Sequence, residues 1–258
     1  MTSLPLAGRR ILVTRAAHQA GKLSEGLRAQ GAEPVEVPVV EIQLPASFDA
    51  LDKALRQFDR YDWLILTSAN TVRALAERAA ALGLALAQPT GLQVAAVGEA
   101  TADAARKAGF RVAFVPEAYK AESLVEGMSD QVTGKRVLIA RAAVAREVIP
   151  DALRTAGAEV EVIDAYRNVL PEAAPEQLRR AVENGIDAAT FTSSSSVTHL
   201  AEAARAAGIA FPFAGVKAVS IGPVTSQTLR ELGWPPAAEA NPSDISGLIA
   251  AVVRVLHR

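Results

Sequence analysis

The sequence predicts an α/β protein of parallel sheets with helices on both faces, and three observations carry that prediction. Short runs rich in Val, Ile and Leu alternate with Ala/Leu/Arg segments of helical spacing along the whole chain. Glycines close many of the helical segments, at Gly31, Gly83, Gly109, Gly157, Gly208 and Gly233. The chain also repeats itself after about half its length. Strands separated by whole helices pair in parallel, and a parallel sheet is covered on both faces.

In chain order the expected strands lie near residues 10–14, 35–40, 62–66, 92–97, 111–115, 136–140, 159–166, 187–192, 216–221 and 236–240, with helices in most gaps. The repeat is visible residue by residue. Arg10-Ile-Leu-Val-Thr-Arg-Ala-Ala17 aligns with Arg136-Val-Leu-Ile-Ala-Arg-Ala-Ala143, and Leu27-Arg-Ala-Gln-Gly-Ala-Glu33 with Leu153-Arg-Thr-Ala-Gly-Ala-Glu159, both 126 positions on. Thr67-Ser68 matches Thr192-Ser193, 125 positions on, and Val97-Gly-Glu-Ala-Thr101 matches Ile221-Gly-Pro-Val-Thr225, 124 positions on. Two copies of one α/β unit follow. A simple tandem places their boundary near residues 125–134. The extended, proline-bearing stretches Val35 to Ile42 and Ile163 to Pro171 are alternative connectors, which would make one domain discontinuous.

Composition narrows the function classes. The chain has 258 residues, enough for one large or two ordinary domains, with 27 basic against 28 acidic residues and a net charge of −1. No global field draws nucleic acid or an anionic membrane. The absence of cysteine excludes disulfides, thiolate nucleophiles and Cys-ligated metals. Residues 1–10 lack the apolar core of a secretory signal and no later window reaches a membrane span, so a soluble cytoplasmic protein is expected. The glycine-rich dinucleotide and phosphate-loop fingerprints, the zincin helix and the hydrolase elbow are all missing. His18, His199 and His257 are far apart and are expected to be exposed helix residues, with no metal site.

What remains is a series of strand-to-helix turns bearing hydroxyls and arginines. They are Thr14-Arg15, Thr67-Ser-Ala-Asn70, Gly98-Glu-Ala-Thr101, Arg141 with Arg146, Thr192 to Ser196, and Gly222-Pro-Val-Thr225. In open parallel sheets such turns gather at the carboxyl ends of the strands, where ligands bind. Two such sheets facing each other would make a cleft. Hydroxyls, the free N–H groups of helix starts and guanidinium forks suit a ligand with several carboxylates or phosphates. The competing reading of Ser68, Thr101, Ser193 and Thr225 is that they merely cap helices. The run Asp187 to Leu200 shows the pattern best, since helical spacing at Val197, Leu200, Ala201 and Ala204 follows the serines at once. Tyr166 lies in the second extended stretch, where an aromatic usually packs; a neutral phenol near a cleft can also donate a hydrogen bond or a proton.

Taken together these residues resemble the uroporphyrinogen-III synthase family over nearly the full chain. The resemblance rests on Ile11-Leu-Val-Thr-Arg15, Leu66-Thr-Ser-Ala-Asn-Thr-Val72, Ala96-Val-Gly-Glu-Ala-Thr101, Val162-Ile-Asp-Ala-Tyr166, Phe191-Thr-Ser-Ser-Ser-Ser-Val197, Ile221-Gly-Pro-Val-Thr225 and Pro242-Ser-Asp-Ile-Ser-Gly-Leu248, in that order and spacing. It implies two flavodoxin-like α/β domains joined by a two-stranded linker, with the active site in the interdomain cleft. One domain would be residues 1–38 with 172–258, and the other the insert 39–171, with connector strands at about 35–42 and 160–171. The implied reaction cyclises and dehydrates hydroxymethylbilane, a linear tetrapyrrole, to uroporphyrinogen III with inversion of the terminal pyrrole. No cofactor is implied, and a monomer acting on a small molecule, without nucleic acid or membrane, is expected. Carried over, Tyr166 assists departure of the hydroxyl. Arg15, Ser68, Asn70, Thr101, Arg141, Ser193, Ser195 and Thr225 grip the substrate's acetate and propionate arms. Where the family often reads Thr-Ser-Pro-Ser, Ser194 stands in place of the proline, so Ser193 and Ser195 are the residues carried over.

Two other classes fit the composition. A non-catalytic two-lobed protein binding or sensing a small polyanion is one, and a nucleotide-dependent transferase, weakened by the missing phosphate loop, is the other.

Overall fold

The computed structural model describes residues 4–117 and 121–257. The chain opens with β1 (Arg10–Val13), α1 (Ala17–Ala29), β2 (Glu33–Glu36) and β3 (Glu41–Gln43). It continues through α2 (Asp49–Arg56), β4 (Trp63–Leu66), α3 (Ala69–Ala81), β5 (Gln93–Ala96), α4 (Glu99–Lys107), β6 (Val112–Phe114), α5 (Ala121–Met128), β7 (Arg136–Ala142), α6 (Val148–Thr155) and β8 (Glu159–Val169). The last third holds α7 (Ala174–Glu183), β9 (Ala188–Phe191), α8 (Ser194–Ala207), β10 (Lys217–Ser220), α9 (Pro223–Glu231), β11 (Ala238–Glu239) and α10 (Ile245–Leu256).

The chain forms two compact units: Met1–Ile42 with Val169–Arg258, and Gln43–Asn168. The first unit has one five-stranded sheet in the order β11-β10-β9-β1-β2, parallel throughout. The second has the order β3-β8-β7-β4-β5-β6, parallel from β8 to β6. Residues 125–134 lie inside the second unit, so the tandem boundary expected there is not one. The first extended stretch also departs from expectation. The strand itself ends at Glu36, with Val37 N and Val39 N still donating to the Val13 and Thr14 carbonyls at 3.1 and 3.3 Å, and a separate strand begins at Glu41.

Why the strands read as unbroken apolar runs is plain from their packing. Successive side chains point to opposite faces, and both faces are covered. Ile11 and Val13 face the core under α1 and α10, whereas Leu12 faces the core under α7, α8 and α9. In the second unit Leu64 and Leu66 face the core under α2, α3 and α4, and Trp63 and Ile65 face the one under α5 and α6. The helices end as the glycines predicted: Gly208 takes φ +70° at the end of α8, a left-handed conformation that costs other residues energy. Near the carboxyl terminus Asp244 caps α10 by accepting from Gly247 N at 2.7 Å. A Cβ at Gly247 would lie 2.0 Å from the Pro242 carbonyl oxygen, which is why the closing Pro-Ser-Asp-Ile-Ser-Gly motif needs its glycine.

The two copies of the repeat do not fold as separate units. Arg10 N donates to Asp187 Oδ2 at 2.8 Å, and its counterpart Arg136 N donates to Asp62 Oδ2 at 2.9 Å. The same carboxylates take Arg9 at 2.8 Å and Lys135 at 3.3 Å. Each bond joins one copy to the other. Each unit therefore takes its leading β-α-β from one copy and its last three strands from the other. Apart from the edge strand β3 of the second unit, the strand order is 2-1-3-4-5 in both, once β7 is counted first in that unit.

Candidate active site

The hydroxyl and arginine turns stand at the carboxyl ends of adjacent parallel strands in each unit. In the second unit Tyr166 and Arg141 lie within β8 and β7 near their carboxyl ends, and Ser68 and Thr101 follow β4 and β5; the four strands are neighbours in the sheet. Ser68 is the N-cap of α3: its backbone is extended and its Oγ accepts from Thr71 N at 3.2 Å. The same Oγ lies 2.9 Å from the Tyr166 phenol oxygen and 3.1 Å from Thr71 Oγ1. Tyr166 is buried, with 6% exposure, and reaches Ser68 because β8 bulges: Arg141 pairs with Asp164, but Ala142 pairs with Tyr166. The extra residue, Ala165, breaks the alternation, so Ala165 and Tyr166 are buried in succession and the phenol is re-aimed. Asn70 lies in the first turn of α3, partly buried.

Arg141, also buried, donates from Nη1 to the Arg146 carbonyl at 3.1 Å and from Nη2 to the Glu147 carboxylate. Its Nε is buried without a hydrogen-bond partner. Arg146 is exposed and paired with Glu122 at 3.2 Å.

In the first unit Arg15, the Ser193 to Ser195 turn and Thr225 follow β1, β9 and β10, again neighbours. Ser193 caps α8 in a reciprocal capping box with Ser196, accepting from Ser196 N at 3.2 Å. Ser194 Oγ accepts from Thr228 at 2.8 Å, and Ser195 stands partly buried in the same first turn. Thr14 is not available to a ligand: it is fully buried and its Oγ1 donates to the Thr190 carbonyl at 2.8 Å. Arg15 repeats the feature seen at Arg141, a buried Nε with no partner. Burial holds the Arg15 guanidinium below its ordinary pKa, and a bound anion would offset that desolvation.

Thr101 and Thr225 are not helix caps, contrary to the competing reading of these residues. Gly98 and Gly222 are the caps, and the threonines sit three positions later in the first turn, 7% and 4% exposed. Glycine there leaves the first N–H groups of α4 and α9 without a capping side chain. His199 also departs from expectation: it is partly buried, with Nδ1 2.9 Å from the Val39 carbonyl oxygen. Among the described residues no group of three or more metal-type ligands stands together, and no helix is long and apolar enough to cross a membrane. A hollow of about 320 Å³ lined by Arg60, Tyr61, Arg136, Glu159, Val160 and Glu161 lies at the starts of β7 and β8, away from these turns. Within it Arg136 pairs with Glu159 at 3.2 Å and the Tyr61 phenol donates to Glu161 at 2.7 Å.

A family model described as uroporphyrinogen-III synthase HemD matches residues 21–250. The chain belongs to the uroporphyrinogen-III synthase family. A uroporphyrinogen-III synthase of Synechococcus elongatus is 36% identical over 257 residues, covering 98% of this chain and 97% of that one. A putative uroporphyrinogen-III synthase of Methanothermobacter thermautotrophicus is 32% identical, over 86% and 88% of the two chains. The fold matches a Thermus thermophilus uroporphyrinogen III synthase structure at TM-score 0.70 and 23% identity, over 96% of this chain and 99% of that one. Membership in the synthase family favours an enzyme over the non-catalytic binding protein that composition also allowed.

Sequence reading missed Thr71 and Glu147 as members of the site. Thr71 carried a signal, since it stands three residues after a cap and answers to Ser196 in the repeat. Nothing local marks Glu147 as the partner of Arg141.

Proposed function

We propose that the protein closes hydroxymethylbilane to uroporphyrinogen III, expelling water and inverting the terminal pyrrole, with its substrate-gripping groups on the carboxyl-end turns. The observation that supports this most is the match to named synthases over almost the whole chain. The reaction involves no redox change and no group carrier, so it needs no cofactor. An electron-rich pyrrole expels its hydroxyl readily and the linear substrate can close unaided to the wrong isomer. The protein's task is therefore geometry. Holding the terminal ring so that it attacks through a spiro intermediate is catalysis by orientation, and such effects reach roughly 7–11 kcal/mol in the best intramolecular cases.

The residues divide that task. The phenol of Tyr166 gives a proton to the departing hydroxyl, and Ser68 orients it through the 2.9 Å contact. Arg15 and Arg141 take side-arm carboxylates on guanidinium donors that include their unpartnered Nε groups. The N–H groups at the starts of α3, α4, α8 and α9, with Asn70, Thr101, Ser193, Ser195 and Thr225 beside them, take the remaining arms. The units correspond to functional domains bounded near residues 38 and 171, and the protein acts as a cytoplasmic monomer with no nucleic-acid partner, in keeping with its net charge of −1. The test is to incubate it with fresh hydroxymethylbilane, oxidise and separate the isomers. Type III product is expected; type I alone, at the uncatalysed rate, would end the reading.

A further inference from the structure

The turn between β7 and α6 places a carboxylate of the protein where the proposed function needs one of the substrate. Both terminal nitrogens of Arg141 are engaged by one short segment, residues 143–147: Nη2 by the Glu147 carboxylate and Nη1 by the Arg146 carbonyl. Nε is buried with no partner. A guanidinium binds a carboxylate best through two parallel N–H bonds. Glu147 uses Nη2 and leaves Nε, the donor beside it, unused.

The segment is open to solvent. The Glu147 side chain is 52% exposed against 10% for Arg141, so it has water to enter. Val144 is 87% exposed, a large apolar side chain with little to cover it. The internal repeat supplies a comparison. Arg15 answers to Arg141 and has the same buried, unpartnered Nε, but the residue answering to Glu147 is Gly21. In the first unit the equivalent segment is already helical, because α1 begins at Ala17, whereas α6 begins only at Val148. One arginine position thus occurs twice, once with a carboxylate laid on it and once without.

We infer that Glu147 is a displaceable stand-in for a substrate carboxylate: it keeps the Arg141 charge paired until an acetate or propionate arm takes Nε and Nη2 together and returns Glu147 to water. The exchange favours the substrate because it adds a bond to a buried donor that otherwise has none. It also selects, since a ligand with no carboxylate at that place leaves Glu147 in position. The identity of the ligand rests on the proposed function; the displacement rests on the Arg141 site alone.

Uroporphyrin III, a stable analogue of the product with the same side arms, is the probe. It is titrated by fluorescence quenching into the wild type, Glu147→Gln, Glu147→Ala, Arg141→Gln and the two double variants. Removing the Glu147 charge should tighten binding about two- to fivefold, the range of a half-exposed ion pair, and the gain should vanish in the Arg141→Gln background. In turnover KM should fall more than kcat changes. Equal or weaker binding by both Glu147 variants, or a gain that persists without Arg141, overturns the inference. Failure of the synthase reading shows elsewhere, as type I product alone from the wild type, and the probe titration still decides the displacement.

Discussion

Tyr166→Phe separates the chemical role of the phenol from its structural one. The hydroxyl that the substitution removes makes a 2.9 Å contact to Ser68 Oγ. Ser68 keeps its other partners, Thr71 N at 3.2 Å and Thr71 Oγ1 at 3.1 Å, so no buried hydroxyl is stranded. The ring still fills the same buried space. The stability cost is then that of one neutral hydrogen bond, about 0.5–1.5 kcal/mol, or a fall in Tm of about 1–6 °C for a chain of this size. A positioned proton donor is worth far more in rate, about 100-fold at the low end. The two scales do not overlap, because 1 kcal/mol on a rate is only about fivefold.

The assay is single-turnover formation of type III product, followed by oxidation and isomer separation, beside a thermal melt. Expected are a kcat lowered about 100-fold, a small Tm change and a product mixture shifted toward the type I isomer. Ser68→Ala provides the control. It leaves the phenol present but unheld and removes the α3 cap, at about 1 kcal/mol, so its rate should lie between the two. A Tyr166→Phe enzyme with kcat within about twofold of wild type and a normal melt would refute the proton-donor role and leave Tyr166 as packing.

Four further expectations follow from named contacts. Arg15→Gln removes a charge whose burial already lowers its pKa; the variant should melt no lower than wild type yet raise KM by about 10- to 100-fold, and a lower Tm with unchanged KM would contradict the binding role. The Tyr61 phenol is pushed well above its ordinary value by burial first and by its hydrogen bond to Glu161 second, so the neutral form is favoured in the fold. Stability in urea should hold below about pH 10 and fall as pH rises beyond it, by up to about 1.4 kcal/mol per unit, and Tyr61→Phe should flatten that slope. Ser193→Ala breaks the α8 capping box and should cost about 1 kcal/mol, seen as a Tm fall of about 3 °C. Trp234 packs edge-on against Phe191, Phe211 and Phe213 at 5.5, 5.2 and 5.2 Å, so Trp234→Ala should destabilise its unit by about 3–5 kcal/mol. The remaining tryptophan, Trp63, lies in the other unit, and its urea transition should stay near the wild-type midpoint while circular dichroism shows an earlier phase; coincident transitions would contradict separate cores.

Much of the fold is legible in the chain because both signals that define it are local. Strands buried on two faces read as unbroken apolar runs, and helices closed by glycine read as such, so β1, β4, β7 and β9 fall within two residues of expectation. The bulge on β8 is less legible, since one extra residue changes which side chain is buried without changing composition. The site follows the same division. Ser68 and Ser193 announce themselves as caps, while the pairing of Ser68 with Tyr166, 98 positions away, depends on how separate strands meet, and that of Arg141 with Glu147 on the path of the single β7–α6 turn.

The repeat shows most sharply what local signals omit. Its periodicity is the same whether each copy closes on itself or the copies exchange their leading segments. What decides is long-range: Asp62 receives Arg136 and Asp187 receives Arg10, each across the copies. The exchange has a consequence for function. Ser68, Asn70 and Thr101 come from the first copy, and Arg141 and Tyr166 from the second, yet all five stand at the carboxyl end of one sheet. A hydroxyl from one copy can thus hold a phenol from the other, and duplication alone would not create that pair: the position answering to Tyr166 in the first copy is Val40. The two halves share the serine caps and the arginine but differ at Tyr166, the position of the proposed proton donor, which is where a symmetric fold acting on an asymmetric reaction is expected to differ.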